Sequence, residues 1–137
     1  MADTVRLVDY FYIVTSDKPG EGARILRHLK DAGVNLAVVY AFPAGRRTQV
    51  DVVPESGEAF KATAKGAKWK VVGPKKAYVI EGDDRVGALT GYFAKLADAK
   101  INVTATSAIV AGTGRFGAIL WVKPRDVKRA AKALGVG

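Results

Sequence analysis

Cysteine is absent from this 137-residue chain, which excludes disulfides and thiolate chemistry. A cysteine-free chain suits a reducing compartment, and the cytoplasm is the expected location. Histidine occurs once, as His28, so no second imidazole or thiol can join it around a metal, and neither a metal site nor a cofactor is expected. On a helical projection His28 falls on a polar face beside Arg24 and Asp31, the setting of a solvated surface histidine. Long apolar runs are also missing. The longest, Leu36 to Pro43, is under half of the roughly 20 residues that cross a bilayer as a helix, so no membrane span is expected. The opening Met1-Ala2-Asp3-Thr4-Val5-Arg6 has no basic segment followed by an apolar one and reads as no secretory signal.

Acid is the scarcer charge, with 13 Asp and Glu against 22 Lys and Arg, a net charge of +9. Residues 1–72 carry 11 basic against 8 acidic groups and residues 73–137 carry 11 against 5, so the halves are +3 and +6. Such a balance speaks first of solubility and non-specific association with anions, before any defined partner. Apolar residues make up 49% and charged residues 26%, enough to bury a core and to exclude a disordered or fibrous chain. The length suits one ordinary domain or two very small ones of about 65 residues.

An internal repeat decides between these. Displaced by 67 residues, Gly20, Leu29, Asp31, Ala32, Asn35, Ala41, Ala44 and Gly45 fall on Gly87, Leu96, Asp98, Ala99, Asn102, Ala108, Ala111 and Gly112. Past the following hairpin the displacement is 70, and Val52 and Pro54 fall on Val122 and Pro124. One module is duplicated, over residues 1–72 and 73–137.

Each copy opens with a β-rich run, Tyr10 to Thr15 or Ala77 to Glu81, followed by a polar turn and a helical pattern. Ile25, Leu26 and Leu29 form the apolar face of the first helix, and Leu89, Phe93 and Leu96 that of its counterpart. Gly33 serves as a C-cap, after which Val34 to Phe42 and Ile101 to Val110 read as strands. Hairpins at Ala44–Arg47 and Ala111–Gly114 lead into third strands, Thr48 to Val53 and Phe116 to Val122. Pro54 and Pro124 suit the first turns of second helices, the latter continued by Val127, Ala130, Ala131 and Leu134. Trp69 to Val72 can supply a fourth strand, but only Gly135-Val136-Gly137 follow the final helix. The second copy is therefore expected to lack most of its last strand, leaving the sheet edge beside Ala77 to Glu81 without its usual cover, and Trp69 to Val72 can turn at Gly73-Pro74-Lys75-Lys76 and hairpin onto Tyr78-Val79-Ile80. The pattern predicts an α+β fold: two tandem ferredoxin-like βαββαβ modules, antiparallel sheets with helices on one face.

Asp17-Lys18-Pro19-Gly20-Glu21-Gly22, running into Ile25-Leu26 and closing with Ala32-Gly33-Val34-Asn35-Leu36, resembles the signature half of an ACT domain. Asp83-Asp84-Arg85-Val86-Gly87, closing with Ala99-Lys100-Ile101-Asn102-Val103, is the second copy, so the chain resembles a tandem ACT domain protein over almost its whole length. The resemblance implies a non-enzymatic regulatory protein that binds a small ligand, usually an amino acid, where ACT domains meet. It implies ligand contacts from Asp17, Lys18, Pro19, Gly20 and Glu21 with Asn35 and Leu36, and from Asp84, Arg85, Val86 and Gly87 with Asn102 and Val103. It also implies association into a homodimer. Val86 stands where the first copy has Pro19, so the second turn departs from the first.

Physical chemistry supports the turn independently, because a helix N-terminus presents N–H groups and partial positive charge to a carboxylate. An Asn at a strand start can serve either end of an amino acid, and Asp17 can meet an ammonium. Each residue equally has a structural reading: Asp17 as a helix cap, Gly20 as relief of crowding, Asn35 as the close of a turn.

Other readings rank below this one. Gly112-Thr113-Gly114-Arg115-Phe116-Gly117 matches the dinucleotide fingerprint in letters, but a strand follows where that motif opens a helix, and no phosphate loop of the G-x-x-x-x-G-K type occurs. RNA-recognition motifs share the topology and stack bases on third-strand aromatics, which Phe116 and Trp121 would provide, so RNA binding is the alternative. A small ferredoxin-like enzyme such as an acylphosphatase comes third, since the first turn is acidic where an arginine-bearing anion loop is required. The lysine and arginine runs Lys61-Lys65-Lys68-Lys70 and Lys123-Arg125-Lys128-Arg129-Lys132 read as solvated faces.

Overall fold

β-branched and aromatic residues crowd the chain ahead of its first acidic turn, and there Thr4–Ser16 forms one long strand, β1. A computed structural model describes residues 2–136; Met1 and Gly137 lie outside the described residues. After β1 come α1 (Glu21–Asp31), β2 (Leu36–Ala44), β3 (Arg47–Pro54), α2 (Gly57–Gly66), β4 (Val71–Asp83), α3 (Thr90–Asp98), β5 (Val103–Val110), β6 (Arg115–Val122), a 3-10 turn (Pro124–Asp126) and α4 (Val127–Leu134). The class is α+β, with antiparallel pairing of β1 with β3, β2 with β3, β4 with β6 and β5 with β6. No helix among the described residues is long and apolar enough to cross a membrane.

The chain divides into two compact units. The first is Asp9–Lys75; the second is Lys76 onward together with the residues up to Val8. The first unit therefore ends beyond the sequence cut at residue 72, and both long strands, β1 and β4, contribute a segment to each unit.

Alternation sets the core of the first unit. Phe11 pairs with Val52 and Ile13 with Val50, and these side chains meet Ile25 and Leu29 of α1 and Phe60 of α2. The Phe11 and Phe60 rings lie 5.0 Å apart. Leu26, expected on the buried face of α1, is 42% exposed, because the apolar stripe that the sheet covers is only wide enough for Ile25 and Leu29. Pro54 ends β3 and does not open a helix; α2 begins at Gly57, where the Ser56 hydroxyl accepts from the Ala59 N–H at 3.1 Å. Pro124, by contrast, opens the 3-10 turn that leads into α4.

In the second unit Tyr78 and Ile80 of β4 and Phe116, Ala118, Leu120 and Val122 of β6 pack with Leu96 of α3 and with Ala130 and Leu134 of α4. The Tyr78 hydroxyl donates to the Val127 carbonyl at 2.5 Å.

No strand follows α4 among the described residues, but the edge expected to be open is not. Within this unit β4 has β6 on one side and Thr4–Val8 of β1 on the other, so the edge beside Ala77 to Glu81 is covered. Val5 packs on the unit's core, and Arg6 Nη2 donates to Glu81 Oε1 at 3.2 Å. The expected hairpin at Gly73-Pro74 is likewise absent: Val71–Asp83 is a single uninterrupted strand. Local turn chemistry suits a reversal there, but the strand runs on, and from Tyr78 to Asp83 its backbone pairs with β6.

Candidate ligand-binding site

The turn after β1 is built on one backbone conformation. Lys18 N–H donates to the Ser16 carbonyl at 3.0 Å and Glu21 N–H to the Lys18 carbonyl at 3.3 Å, which brings Gly20 to the N-cap of α1 at φ +93°. Side chains rarely adopt that φ, and a Cβ built on Gly20 would have no neighbour within 4 Å, so the backbone there is open to approach. No side chain caps the helix. Asp17 does not act as the cap either; its Oδ1 accepts from the Thr48 hydroxyl at 3.1 Å and ties the turn to β3.

Glu21 turns its carboxylate back over the end of β1. It accepts from Arg24 Nη2 at 2.7 Å and Nε at 3.0 Å, from the Thr15 hydroxyl at 3.1 Å and from the Ser16 hydroxyl at 3.2 Å. Arg24 first, then Thr15, holds its carboxyl below the usual range.

Asn35 and Leu36 follow the other end of α1. Gly33, at φ +74°, and Val34 close that helix with bonds to the Lys30 and Leu29 carbonyls, and the Asn35 carbonyl accepts from Glu55 N–H at 2.9 Å. A shallow cleft of about 390 Å³ opens there, lined by Leu26, Leu29, Lys30, Gly33, Val34, Asn35 and Leu36. The exposed Leu26 gives it an apolar wall. The Asp17–Gly20 turn does not line it: eleven residues of α1 lie between, a rise of about 16 Å. Within one unit the two halves of the expected site are thus separate. Pairing of β2 with β3 shifts register between Leu36 and Val38, and that of β5 with β6 between Val103 and Ala105, so both second strands begin with the same irregularity beside their candidate residues.

The second turn is built differently. Asp84 N–H donates to the Gly114 carbonyl at 2.8 Å, Gly87 sits at φ +70°, and α3 starts only at Thr90. Val86 is fully exposed. Arg85 turns inward: Nη1 donates to the Asp83 carbonyl at 2.9 Å and to Asp3 Oδ1 at 3.3 Å, and Nη2 to Asp3 Oδ2 at 2.9 Å. The Tyr92 hydroxyl donates to Asp3 Oδ2 at 2.5 Å. These donors hold the Asp3 carboxyl at about 2, the Arg85 bond contributing most and the Tyr92 bond next. Asn102 is exposed and Val103 opens β5 at the far end of α3, where Arg129 Nη2 donates to the Ala99 carbonyl.

No protein-family model matches the chain, and no curated protein matches it. Solved structures do resemble it. Protein BT0572 from Bacteroides thetaiotaomicron superposes with a TM-score of 0.82 at 11% identity, over 96% of this chain and 88% of that one. The ligand-free regulatory subunit of aspartate kinase from Thermus thermophilus gives 0.61 at 17% identity, over 96% and 94%. That of Thermus flavus gives 0.59 at 14%, over 98% and 95%. The fold is ACT-like. At these identities the likeness is one of fold alone, and two of the three chains it joins are regulatory subunits.

In the ACT-like frame the turn residues Asp17–Glu21 and Asp84–Gly87 stand at the starts of α1 and α3, and Asn35-Leu36 and Asn102-Val103 beyond the ends of those helices. Sequence reading missed Asp3, Gly82 and Tyr92: Gly82 and Tyr92 flank the second turn, and Asp3 reaches it from a distant position. One signal pointed that way: the second copy needed a strand from somewhere. The stacking aromatics of the RNA reading are not available. Phe116 and Trp121 are each 6% exposed, and Phe116 faces the second core. The glycines at 112 and 114 turn a hairpin, and β6 follows.

Proposed function

We propose that this chain is a non-enzymatic sensor, a tandem of two βαββαβ ACT-like modules that binds a small molecule, with an amino acid as the expected ligand. The observation that carries this reading is the first turn, where Gly20 at φ +93° leaves open backbone at the start of α1. A ligand carboxylate can approach Gly20. Asn35 and the cleft beside it offer an amide and an apolar wall to the rest of a ligand. Because those two features lie at opposite ends of α1, a complete site requires a second surface, and a homodimer in which each copy supplies one half satisfies that requirement. The cytoplasm remains the expected location.

A thermal-shift screen of the full chain against the twenty amino acids tests the reading. Ligand at 100 times its dissociation constant adds about 2.7 kcal/mol of stability, a rise of several degrees. Gly20→Leu, strained at that φ, should lower the melting temperature without ligand but change the circular dichroism spectrum little, and it should abolish the ligand-induced rise measured from its own baseline. Light scattering tests the assembly: a strict monomer of 14.5 kDa with and without ligand would rule out the shared site.

A further inference from the structure

Both turns hold a carboxylate against the end of the preceding strand, but from different sources. In the first unit the carboxylate is local: Glu21 meets Thr15, Ser16 and Arg24, all within six residues. Under the 67-residue displacement Thr15 corresponds to Gly82 and Glu21 to Ala88, so the second turn has lost both the hydroxyl and the acid. A carboxylate is nonetheless present, brought by Asp3 from 82 positions away.

The groups that receive it come from one short stretch of chain, and one of them has a hold of its own. Arg85 Nη1 is held from behind by the Asp83 carbonyl, so the guanidinium fork is already aimed. Tyr92 projects from the first turn of α3. Gly82 provides the floor: a Cβ there would lie 2.0 Å from Asp3 Oδ1 and 2.9 Å from the Phe116 ring, so only a residue without a side chain leaves room. The Asp3 side chain is 15% exposed and that of Arg85 is 49%, so the acid is the more enclosed partner, as a bound ligand is.

We propose that Gly82, Arg85 and Tyr92 form a carboxylate-binding site whose resident ligand is Asp3 of the same chain, and that a small-molecule carboxylate enters it when the segment leading into β1 withdraws. The second turn is then a site kept closed by a tethered occupant. The inference rests on the ligand-binding reading only in taking that turn as a place where a ligand binds.

The test uses the full chain with sodium acetate as probe and sodium chloride at equal ionic strength as control, followed by amide NMR. In Asp3→Gly, acetate and not chloride should produce saturable shifts at the Gly82 and Asp83 amides and the Arg85 side chain. The wild-type chain should need a higher acetate concentration for the same shifts, because there acetate competes with the tethered Asp3 carboxylate. Asp3→Gly/Arg85→Gln should bind acetate about tenfold more weakly. If Asp3→Gly folds natively and shows no acetate-specific shift, the Asp3–Arg85 pair is a structural tie and the proposal fails. If Asp3→Gly does not fold, Asp3→Asn serves instead: displacement of its neutral amide by acetate supports the site, and no displacement at high acetate overturns it. Acetate binding in Asp3→Gly beside an amino-acid screen that finds nothing would sink the sensor reading and leave this site standing. The converse pair of results would do the opposite.

Discussion

Tyr78 of β4 is fully buried, yet its hydroxyl reaches the Val127 carbonyl at the first residue of α4, 2.5 Å away. Burial raises its pKa, so it remains a neutral donor at physiological pH. Tyr78→Phe removes the donor and leaves the Val127 carbonyl to find another partner. Urea unfolding at neutral pH should report a loss of about 1–2 kcal/mol, and an unchanged midpoint would mean that the bond contributes nothing net.

Phe60 anchors α2 on the first core with no exposed surface. Phe60→Ala leaves a cavity against Phe11 and should cost about 3–5 kcal/mol. Denaturant midpoints read this directly, and a loss under about 1 kcal/mol would mean that α2 collapses into the gap.

Ser56 caps the same helix through the Ala59 N–H, so Ser56→Ala should cost about 1 kcal/mol and Ser56→Asp very little. The pair separates loss of the cap from loss of side-chain volume.

Asp3 has its folded pKa lowered from 3.8 to about 2 by Arg85 and Tyr92. A depressed carboxyl adds stability that is fully present above the unfolded value, near 4, and is lost as pH falls toward 2. Stability of the wild-type chain minus that of Asp3→Asn, measured by urea unfolding from pH 6 to pH 2, should shrink across that window. Glu21 and Asp83 are also depressed, each by its neighbouring arginine, but they are common to both proteins and cancel in the difference. A pH-independent difference would show that Asp3 is not held ionised by these partners.

Local features were the legible ones. The 67-residue displacement located both helices that follow a turn, and alternation located the core strands, because these depend on neighbours within a few residues. Gly20 was legible as a turn residue, since few others tolerate its φ. What escaped depends on distant pairing. Nothing near Thr4–Val8 announces that it pairs beside β4, and nothing near Gly82 shows that its missing side chain makes room for Asp3. Leu26 looked like core by spacing alone, whereas the sheet covers a narrower stripe of α1 and leaves that side chain to the cleft at Asn35. Pro54 was misplaced for a similar reason: a proline suits the last position of a strand, beyond the residues paired with β1, as well as the start of a helix.

The division of β1 between the units also bears on the order in which the protein takes shape during synthesis. Asp9–Lys75 is complete as soon as it has left the ribosome, and its half of β1 can pair at once. Thr4–Val8, made earlier, has to wait for β4, and the core it packs on is finished only after β6 and α4 are made. At about 5–20 residues per second that wait is on the order of ten seconds. Thr4–Val8 is thus made well before the strand it lies beside, and until β4 follows its edge is open to any other nascent chain.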